Sequence, residues 1–286
     1  MKIAKNWKDY SIIATGDGYK LERWKNVYLL RPDPQVIWSA SIDMWHYPAL
    51  NAVYKRSSKG GGEWEFLKPM PAEWEIAYGD LQFKIKPMGF KHTGLFPEQA
   101  VNWDYMASLI RNAGRPIKVL NLFAYTGGAT VACAKAGAEV THVDAAKGMV
   151  ERAGENARLS GIESGIRYIV DDCEKFVRRE IRRGNRYDAI IMDPPSYGRG
   201  PNGEMWKIEE KLYAFVRLCK EVLSDRPLFV LINSYTTGLQ PMVLSNILTL
   251  CMRDYKGTVD AYEVGIQTEE GIPLPCGAGG IFVNDD

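Results

Sequence analysis

Residues 119–130 of this 286-residue chain read VLNLFAYTGGAT, and they predict its fold class. Residues 117–123 form a short apolar run between Pro116 and the pair Gly127-Gly128, which is typical of a buried strand. The small residues at positions 130–137 predict a helix that begins just after the glycines. A strand, a glycine turn and a helix make up the first half of a βα unit, so the sequence predicts an α/β fold.

The glycine turn is a candidate ligand site. Glycines let a backbone approach a ligand closely and adopt positive φ, and the helix N-terminus behind them offers unpaired N–H groups. A dinucleotide-binding turn carries the string GxGxxG, whereas this turn has only Gly127 and Gly128 after Tyr125 and Thr126. The pattern therefore favours a nucleotide-like ligand without a pyrophosphate. A plain βα turn without a ligand is the alternative.

Acidic residues end the next two predicted strands. Asp144 follows the strand at residues 139–143, at a distance from the glycine turn that suits an acid binding ribose hydroxyls. It could also cap the helix that follows. Asp171 and Asp172 follow the strand at residues 166–170. Either of them could accept a hydrogen bond from an adenine amine or cap the next helix.

A proline-containing polar loop follows the fourth predicted strand, residues 187–192. The loop is Asp193-Pro194-Pro195-Ser196-Tyr197-Gly198, and it lies at the carboxyl end of a strand, where ligands bind in open α/β sheets. Proline has no N–H and a fixed φ, so the two proline carbonyls and the Asp193 carboxylate are acceptors on a stiff support. Such acceptors can hold the N–H groups of an attacking amine. The alternative is a rigid loop that only leaves the sheet.

These strings, together with KHTGLFPEQ at residues 91–99, resemble a class I S-adenosylmethionine (SAM)-dependent methyltransferase. The resemblance extends from about residue 91 to residue 284. It is greatest to the bacterial 23S rRNA large-subunit methyltransferase I and K group, in a short branch without the usual N-terminal RNA-binding module. It implies a Rossmann-like, doubly wound, seven-stranded methyltransferase sheet, SAM as the cofactor and ribosomal RNA as the substrate.

The turn and the loop predict site residues, and the resemblance adds Lys91, Thr93, Phe96 and Gln99 to them. The predicted cofactor site comprises Lys91, Thr93, Phe96, Gln99, Phe123, Ala124, Tyr125, Thr126, Gly127, Asp144, Ala145, Asp171, Asp172 and Asp193. The predicted catalytic residues, which would orient the methyl acceptor, are Asp193, Pro194 and Pro195.

The chain has no cysteine at the positions where one branch of such families has a catalytic cysteine. Enzymes that make 5-methylcytosine attack carbon 6 of the base with a cysteine, because carbon 5 is otherwise too weak a nucleophile. That cysteine follows the fourth or the fifth strand, where this chain has Pro195-Ser196 and Asn233-Ser234-Tyr235. The sequence therefore favours direct transfer to nitrogen or oxygen. Cys133 and Cys219 fall within predicted helices and are expected in the core.

The composition is that of a globular protein, 46% hydrophobic and 25% charged. No apolar run approaches the roughly 18 residues of a membrane-spanning helix, and the first residues contain no apolar signal-peptide core. Five cysteines without framework spacing predict reduced thiols and a cytoplasmic protein. With no CxxC pair and three histidines, the sequence predicts no metal site. It does not indicate an oligomeric state.

Residues 1–90 predict a small β-rich domain, and residues 91–286 predict the methyltransferase domain. The first 90 residues hold 13 Lys or Arg against 10 Asp or Glu, and seven of the eight tryptophans precede residue 104. These aromatic side chains could stack on RNA bases or form the core of the β domain. A basic cluster comprises Arg178, Arg179, Arg182, Arg183 and Arg186. Their spacing puts several arginines on one helix face, which could face RNA or form a solvated helix surface.

Strands and helices alternate along the second domain. Strands near residues 117, 139, 166, 187, 227, 258 and 280 predict a mostly parallel sheet, with the last two as an antiparallel hairpin at its edge. Alternative functions are methyl transfer to a protein or small molecule, a nucleotide-binding oxidoreductase, and a catalytically silent SAM-binding module. The missing GxGxxG string argues against the oxidoreductase, and the intact Asp-Pro-Pro string argues against the silent module.

Overall fold

The structure is a computed structural model that describes residues 1–57, 61–199 and 205–285. Its strands are β1 (Lys2–Ala4), β2 (Tyr10–Gly16), β3 (Tyr19–Trp24), β4 (Val27–Pro32), β5 (Ala52–Arg56), β6 (Gly62–Phe66), β7 (Trp74–Tyr78), β8 (Leu81–Ile85), β9 (Lys118–Leu122), β10 (Glu139–Asp144), β11 (Ile166–Val170), β12 (Ala189–Met192), β13 (Tyr197–Arg199), β14 (Met205–Lys207), β15 (Phe229–Ser234), β16 (Gly257–Gln267) and β17 (Pro273–Asn284). Its α-helices are α1 (Ala100–Asn112), α2 (Gly128–Lys135), α3 (Lys147–Leu159), α4 (Cys173–Arg183), α5 (Ile208–Lys220) and α6 (Pro241–Met252).

The chain divides into two compact units. The large unit comprises Met1–Lys2, Val101–Val264 and Gly277–Asp286, and the N-terminal unit comprises Ile3–Ala100 and Gly265–Cys276. The N-terminal unit therefore includes a short segment from late in the chain, between the bodies of β16 and β17.

The large unit is built on a sheet of eight strands in the order β1-β16-β17-β15-β12-β9-β10-β11. Strand β9 pairs in parallel with β10 and β12, β12 pairs in parallel with β15, and β17 is antiparallel to β15. The predicted α/β class and all seven predicted strands are confirmed. The eighth strand, β1, comes from the first residues of the chain and was not predicted. A strand of three residues is too short to give a periodic signal in the sequence.

Burial explains why the central strands form where they do. Every residue of β12 and β15 is buried, as expected for parallel strands with helices on both faces of a sheet. Helices α4, α5 and α6 contribute Phe176, Phe215 and Leu244 to the same apolar core as these strands. Strand β11 lies at the sheet edge and leaves Tyr168 and Val170 partly exposed.

The strand order brings the predicted polar segments to one edge of this sheet. Because β9, β10, β11 and β12 are parallel, their carboxyl ends share that edge. The order reverses at β9, whose neighbours on its two sides are β10 and β12, and ligands bind at such switch points in open α/β sheets.

The N-terminal unit is β-rich, as predicted. It contains a five-stranded sheet, β2-β3-β4-β5-β6, and the two-stranded pair β7-β8. Asp17 and Gly18 join β2 to β3 with positive φ at both residues, which is the Asp-Gly turn that two-residue hairpins favour. Trp24 is fully buried, whereas Trp45 is 42% exposed, so the tryptophans of this unit serve partly as core and partly as surface.

A buried carboxylate joins three elements of the N-terminal unit. Glu22 on β3 has no exposed surface and accepts hydrogen bonds from the Tyr10 hydroxyl (2.7 Å) and from Nε and Nη2 of Arg31 (2.5 and 2.7 Å). Burial alone would raise the pKa of Glu22, but the charges of Arg31 and Lys20 and these hydrogen bonds hold the pKa below its usual value. Glu22 is therefore ionised, and its pairing with Arg31 contributes to folding stability.

We expect Glu22→Gln to lower the free energy of unfolding by about 3–5 kcal/mol, because it leaves the Arg31 guanidinium buried without a countercharge. The folded pKa of Glu22 lies below the unfolded value, so its contribution is present above about pH 4.3 and is lost as pH falls through the folded pKa. Urea unfolding at several pH values measures both effects. Asp260→Asn, which breaks an exposed pair with Lys2, is the control and should cost about 1 kcal/mol or less. Equal losses in the two variants would contradict the account.

Candidate functional site

The turn after β9, residues 123–128, has an unusual backbone. Phe123, Tyr125 and Gly127 all have positive φ, of 54°, 51° and 83°. Positive φ is uncommon at residues other than glycine and concentrates at ligand-binding sites. The glycine is required at position 127, because a Cβ there would lie 2.8 Å from the Cβ of Ala153. Helix α2 begins at Gly128 without a side-chain cap, so its first N–H groups face this turn.

Asp144, at the end of β10, holds the turn in place. One carboxylate oxygen accepts the Tyr125 N–H at 2.8 Å, and the other accepts the Ala146 N–H at 2.9 Å. The N-cap residue of α3 is Ala146, so Asp144 supports the start of that helix from two residues before the cap. Each carboxylate oxygen can accept a further hydrogen bond. Asp144 can therefore anchor the turn and still bind hydroxyl groups of a ligand.

The structure separates the roles of the two acids after β11. Asp172 caps α4, accepting the Lys175 N–H at 2.9 Å. The Asp171 N–H donates to the Asp144 carbonyl at 3.0 Å, and the Asp171 carboxylate forms an ion pair with Arg179. The Asp171 Oδ1 also accepts the Asp172 N–H at 2.9 Å. Both carboxylates therefore have partners within the chain, and a ligand contact by either acid stays a prediction.

The Asp-Pro-Pro loop, residues 193–198, lies beside the turn. Strand pairing places Met192 opposite Leu122, and the Asp193 N–H lies 3.4 Å from the Leu122 carbonyl oxygen. The loop is anchored further along: the Pro195 carbonyl accepts the Trp206 indole N–H at 2.7 Å, and the Ser196 Oγ lies 2.6 Å from the Thr236 Oγ1. The loop is thus held on both sides.

The two prolines differ in their surroundings. Pro194 is buried and Pro195 is exposed. Among the described residues the Pro194 carbonyl has no hydrogen-bond donor, whereas the Pro195 carbonyl already accepts the Trp206 N–H. This difference favours Asp193 and Pro194 as the groups that contact an acceptor, with Pro195 as part of their support.

Four predicted cofactor residues, Lys91, Thr93, Phe96 and Gln99, belong to the N-terminal unit. Lys91 has a φ of 65°, and its Nζ donates to the Pro32 carbonyl at 2.9 Å. Burial lowers the pKa of Lys91 to about 8, with a further lowering from the charge of Lys20. Thr93 is 1% exposed, and its Oγ1 has no hydrogen-bond partner in the described part of the chain. A buried hydroxyl in that state is suited to a ligand.

The cysteines are poor nucleophiles in this structure. Cys133, Cys173, Cys219 and Cys251 are buried, with Cys133 and Cys219 in the core as predicted. Burial raises the pKa of Cys133 to about 12 and raises the pKa of Cys173 as well. Cys173 is the thiol at the turn, where its Sγ accepts the Phe123 N–H at 3.2 Å. Its role there is structural.

Two features of this edge escaped the sequence analysis. The first is Trp206 on β14, which donates to the Pro195 carbonyl. Its isolation from the other seven tryptophans, which all precede residue 104, is the one hint that the sequence gives. The second is a buried polar chain in which the Tyr262 hydroxyl donates to Asn102 (2.6 Å) and the Asn102 amide donates to Asn233 at the end of β15 (3.0 Å). Partners separated by more than 100 residues leave no local pattern.

The arginine cluster on and after α4 is partly neutralised. Arg178 pairs with Glu174 at 2.7 Å, Arg183 pairs with Glu180 at 3.0 Å, and Arg179 pairs with Asp171. These pairs favour a solvated helix surface over an RNA-facing patch. Within residues 1–57, 61–199 and 205–285, no group of three His, Cys, Asp or Glu side chains could hold a metal ion. No helix in the same residues is long and apolar enough to cross a membrane.

Comparison with known proteins identifies the family. Residues 33–242 match the family described as S-adenosylmethionine-dependent methyltransferase. The chain belongs to this family. The crystal structure of the SAM-dependent methyltransferase from Agrobacterium tumefaciens is 34% identical, with a TM-score of 0.91, over 97% of this chain and 91% of that one. The enzyme therefore uses SAM. A methyltransferase structure complexed with SAH, the product of SAM, shares the fold at 18% identity and a TM-score of 0.76, over 98% of this chain and 76% of that one.

Two relatives of the chain carry the names of ribosomal RNA methyltransferases. Ribosomal RNA large subunit methyltransferase K/L of Pseudoalteromonas atlantica is 30% identical over 174 residues, covering 59% of this chain and 24% of the relative. A protein of Methanocaldococcus jannaschii with the name putative ribosomal RNA large subunit methyltransferase is 32% identical over 193 residues, covering 66% of this chain and 48% of the relative. The chain thus spans about a quarter to a half of the length of these two relatives.

We expect Gly127→Ala to destabilise the methyltransferase by more than Gly137→Ala does. Both residues have positive φ, so both substitutions strain the backbone by about 1–3 kcal/mol. Only at Gly127 does the new Cβ meet another atom, the Cβ of Ala153, which adds about 1–3 kcal/mol of overpacking. Chemical unfolding measures the difference, and calorimetry should show weaker SAM binding only for Gly127→Ala. Equal losses at the two positions would rule out close packing at the turn.

Proposed function

We propose that this enzyme transfers the methyl group of SAM directly to a nitrogen of a ribosomal RNA base. The observation that carries the proposal is the position of Asp193 and Pro194, two acceptors on a fixed loop next to the turn of residues 123–128. The thiol at this place, Cys173, is buried and protonated. Direct transfer to nitrogen needs acceptors for N–H groups and no nucleophilic thiol.

The chemistry of the turn fits SAM. A ribose needs acceptors for its hydroxyl groups, and Asp144 supplies a partly exposed carboxylate at the carboxyl end of β10. The uncapped N-terminus of α2 supplies N–H groups, and Phe123 and Ala124 supply an apolar wall. Asp171 is the acceptor that we assign to an adenine amine. In the N-terminal unit, the unpartnered Oγ1 of Thr93 supports a ligand role for the segment at residues 91–99.

The Asp-Pro-Pro loop orients the acceptor amine. When bound, SAM supplies an activated methyl group on a positively charged sulfur. The Asp193 carboxylate and the Pro194 carbonyl accept the N–H groups of the attacking amine and thereby direct its lone pair toward that methyl group. Positioning of this kind is the main contribution that the protein makes to the rate. The negative charge of Asp193 also favours the positive charge that develops on the nitrogen.

We expect Asp193→Asn and Asp144→Asn to affect different steps. Asp193→Asn should slow methyl transfer under single-turnover conditions by about tenfold or more and change SAM affinity by less than about twofold. Asp144→Asn should weaken SAM binding roughly tenfold to a hundredfold, because it loses a charge-assisted hydrogen bond worth about 1.5–3 kcal/mol. Rapid-quench kinetics and calorimetry measure the two effects. A wild-type transfer rate in Asp193→Asn would contradict the role of the loop.

The N-terminal unit has features that suit a single RNA strand. Trp45 is 42% exposed and Phe66 is 60% exposed, and both are aromatic surfaces on which bases can stack. Residues 1–90 hold 13 Lys or Arg against 10 Asp or Glu, an excess of positive charge that suits contacts to phosphate. The names of the curated relatives give independent support for ribosomal RNA as the substrate. A ribosomal substrate is also in keeping with the cytoplasmic location that the reduced cysteines predict.

We expect the protein to bind a ribosomal RNA fragment with a strong salt dependence, of about −0.7 in log–log slope for each phosphate contact to a single strand. Trp45→Ala and Phe66→Ala should each weaken binding by about 1–3 kcal/mol if a base stacks there. The matched control is Ile37→Ala, which removes a side chain that is 90% exposed but has no aromatic face. Fluorescence anisotropy measures all four proteins. Absence of RNA binding at low salt, or binding that is insensitive to salt, would favour a protein or small-molecule substrate.

A further inference from the structure

Trp206 links the turn of residues 123–128 to the Asp-Pro-Pro loop. Its indole N–H donates to the Pro195 carbonyl at 2.7 Å. Its ring packs against Phe123, with the ring centroids 5.4 Å apart, and against Phe215 of α5, with the centroids 5.5 Å apart. One half-buried side chain thus contacts both segments that the proposed reaction brings together.

The contact to Phe123 supports the strained part of the turn. Phe123 has a φ of 54°, which a residue with a side chain adopts only at a cost in free energy. Its N–H is held by the Sγ of Cys173, and its ring is held between Trp206 and Phe215, the latter at 5.6 Å between centroids. The aromatic cluster therefore fixes the first residue of the turn through its side chain.

The contact to Pro195 fixes the loop in a way that the prolines cannot. Proline restricts φ but has no N–H, so hydrogen bonding can orient the backbone of Pro194-Pro195 only through its carbonyl groups. The Trp206 N–H donates to the Pro195 carbonyl. The Pro194 carbonyl can then accept an N–H of the amine that receives the methyl group. Tryptophan is suited to this position because it combines a broad apolar ring with a single N–H donor.

We propose that Trp206 is a positioning residue, which fixes the acceptor loop through its hydrogen bond to Pro195 while its ring lies against Phe123 of the donor turn. It acts through these groups and does not contact the reacting atoms. The proposal rests on the proposed function in one respect, the assignment of Asp193 and Pro194 as the groups that hold the acceptor amine.

Two substitutions separate the hydrogen bond from the packing. Trp206→Phe keeps an aromatic ring and removes the N–H donor. Trp206→His keeps a donor, because the imidazole superimposes on the five-membered ring of indole with Nε2–H in place of Nε1–H, and removes the six-membered ring. At pH 8 the imidazole is neutral, so no charge is introduced. Trp206 is half-buried on a two-stranded hairpin, so both variants are expected to fold.

Three properties are measured for both variants and the wild type: single-turnover transfer to RNA, SAM affinity by calorimetry, and hydrogen exchange of the loop amides. The loop amides are those of Asp193, Ser196, Tyr197 and Gly198, because the two prolines have no N–H. We expect Trp206→Phe to slow transfer about tenfold, to keep SAM affinity within about twofold, and to exchange faster in the loop. We expect Trp206→His to stay within about threefold of the wild-type rate, with loop exchange unchanged.

Three results would overturn the proposal: a wild-type rate in Trp206→Phe, equal losses of rate in the two variants, or unchanged loop exchange in Trp206→Phe. The exchange measurement needs no substrate. If the wild-type enzyme methylates no RNA, the proposed function fails, and loop exchange in the two variants still decides whether Trp206 holds the loop.

Discussion

The hydrogen bond from the Tyr125 N–H to Asp144 is the interaction on which the methyltransferase site depends. The turn after β9 places two residues other than glycine, Phe123 and Tyr125, at positive φ, which costs about 1–3 kcal/mol each. Asp144 offsets this cost at Tyr125, and Cys173 and the aromatic cluster offset it at Phe123. In the proposed cofactor site, the carboxylate that shapes the turn also binds the ribose of SAM, so one residue would serve both the backbone geometry and the cofactor.

The sheet places the turn next to the Asp-Pro-Pro loop, which is the arrangement that the proposed reaction needs. Strands β9 and β12 are parallel neighbours with Leu122 opposite Met192, so the turn and the Asp-Pro-Pro loop leave the sheet at the same level. The prolines, the Ser196–Thr236 hydrogen bond and the Trp206–Pro195 hydrogen bond then restrict the loop. A rigid acceptor loop next to a rigid donor turn is what direct transfer requires, because its rate depends on alignment.

Much of this arrangement was predictable because its signals are local. The apolar run of β9, the glycines at the start of α2 and the acids at the strand ends lie within a few residues of the structures that they specify. Asp171 and Asp172 show the limit: the two acids are adjacent, and the start of α4 at Cys173 assigns the cap to Asp172. Helix boundaries are the least reliable part of a sequence-based prediction, so the choice needed the structure.

Contacts between strands account for the features that were missed. Trp206 is 11 residues from the carbonyl that it binds, on the strand β14 that pairs with β13, and Glu22 meets Arg31 only because β3 and β4 pair. Lys91 was predicted from the family resemblance to line the cofactor pocket, and the structure shows its ammonium donating to the Pro32 carbonyl within the N-terminal unit. Its role toward SAM stays a prediction. In each case the sequence specifies the side chain, and tertiary folding selects its partner.

Nucleoside mass spectrometry of ribosomal RNA decides whether the enzyme transfers the methyl group to a nitrogen of that RNA. Ribosomal RNA from cells that lack the enzyme is compared with RNA from the parent cells and from cells that carry the gene again. We expect the loss of one nucleoside methylated on nitrogen, restored by the wild-type gene. Loss of a 5-methylpyrimidine would contradict direct transfer, and an unchanged set of methylated nucleosides would contradict the RNA substrate.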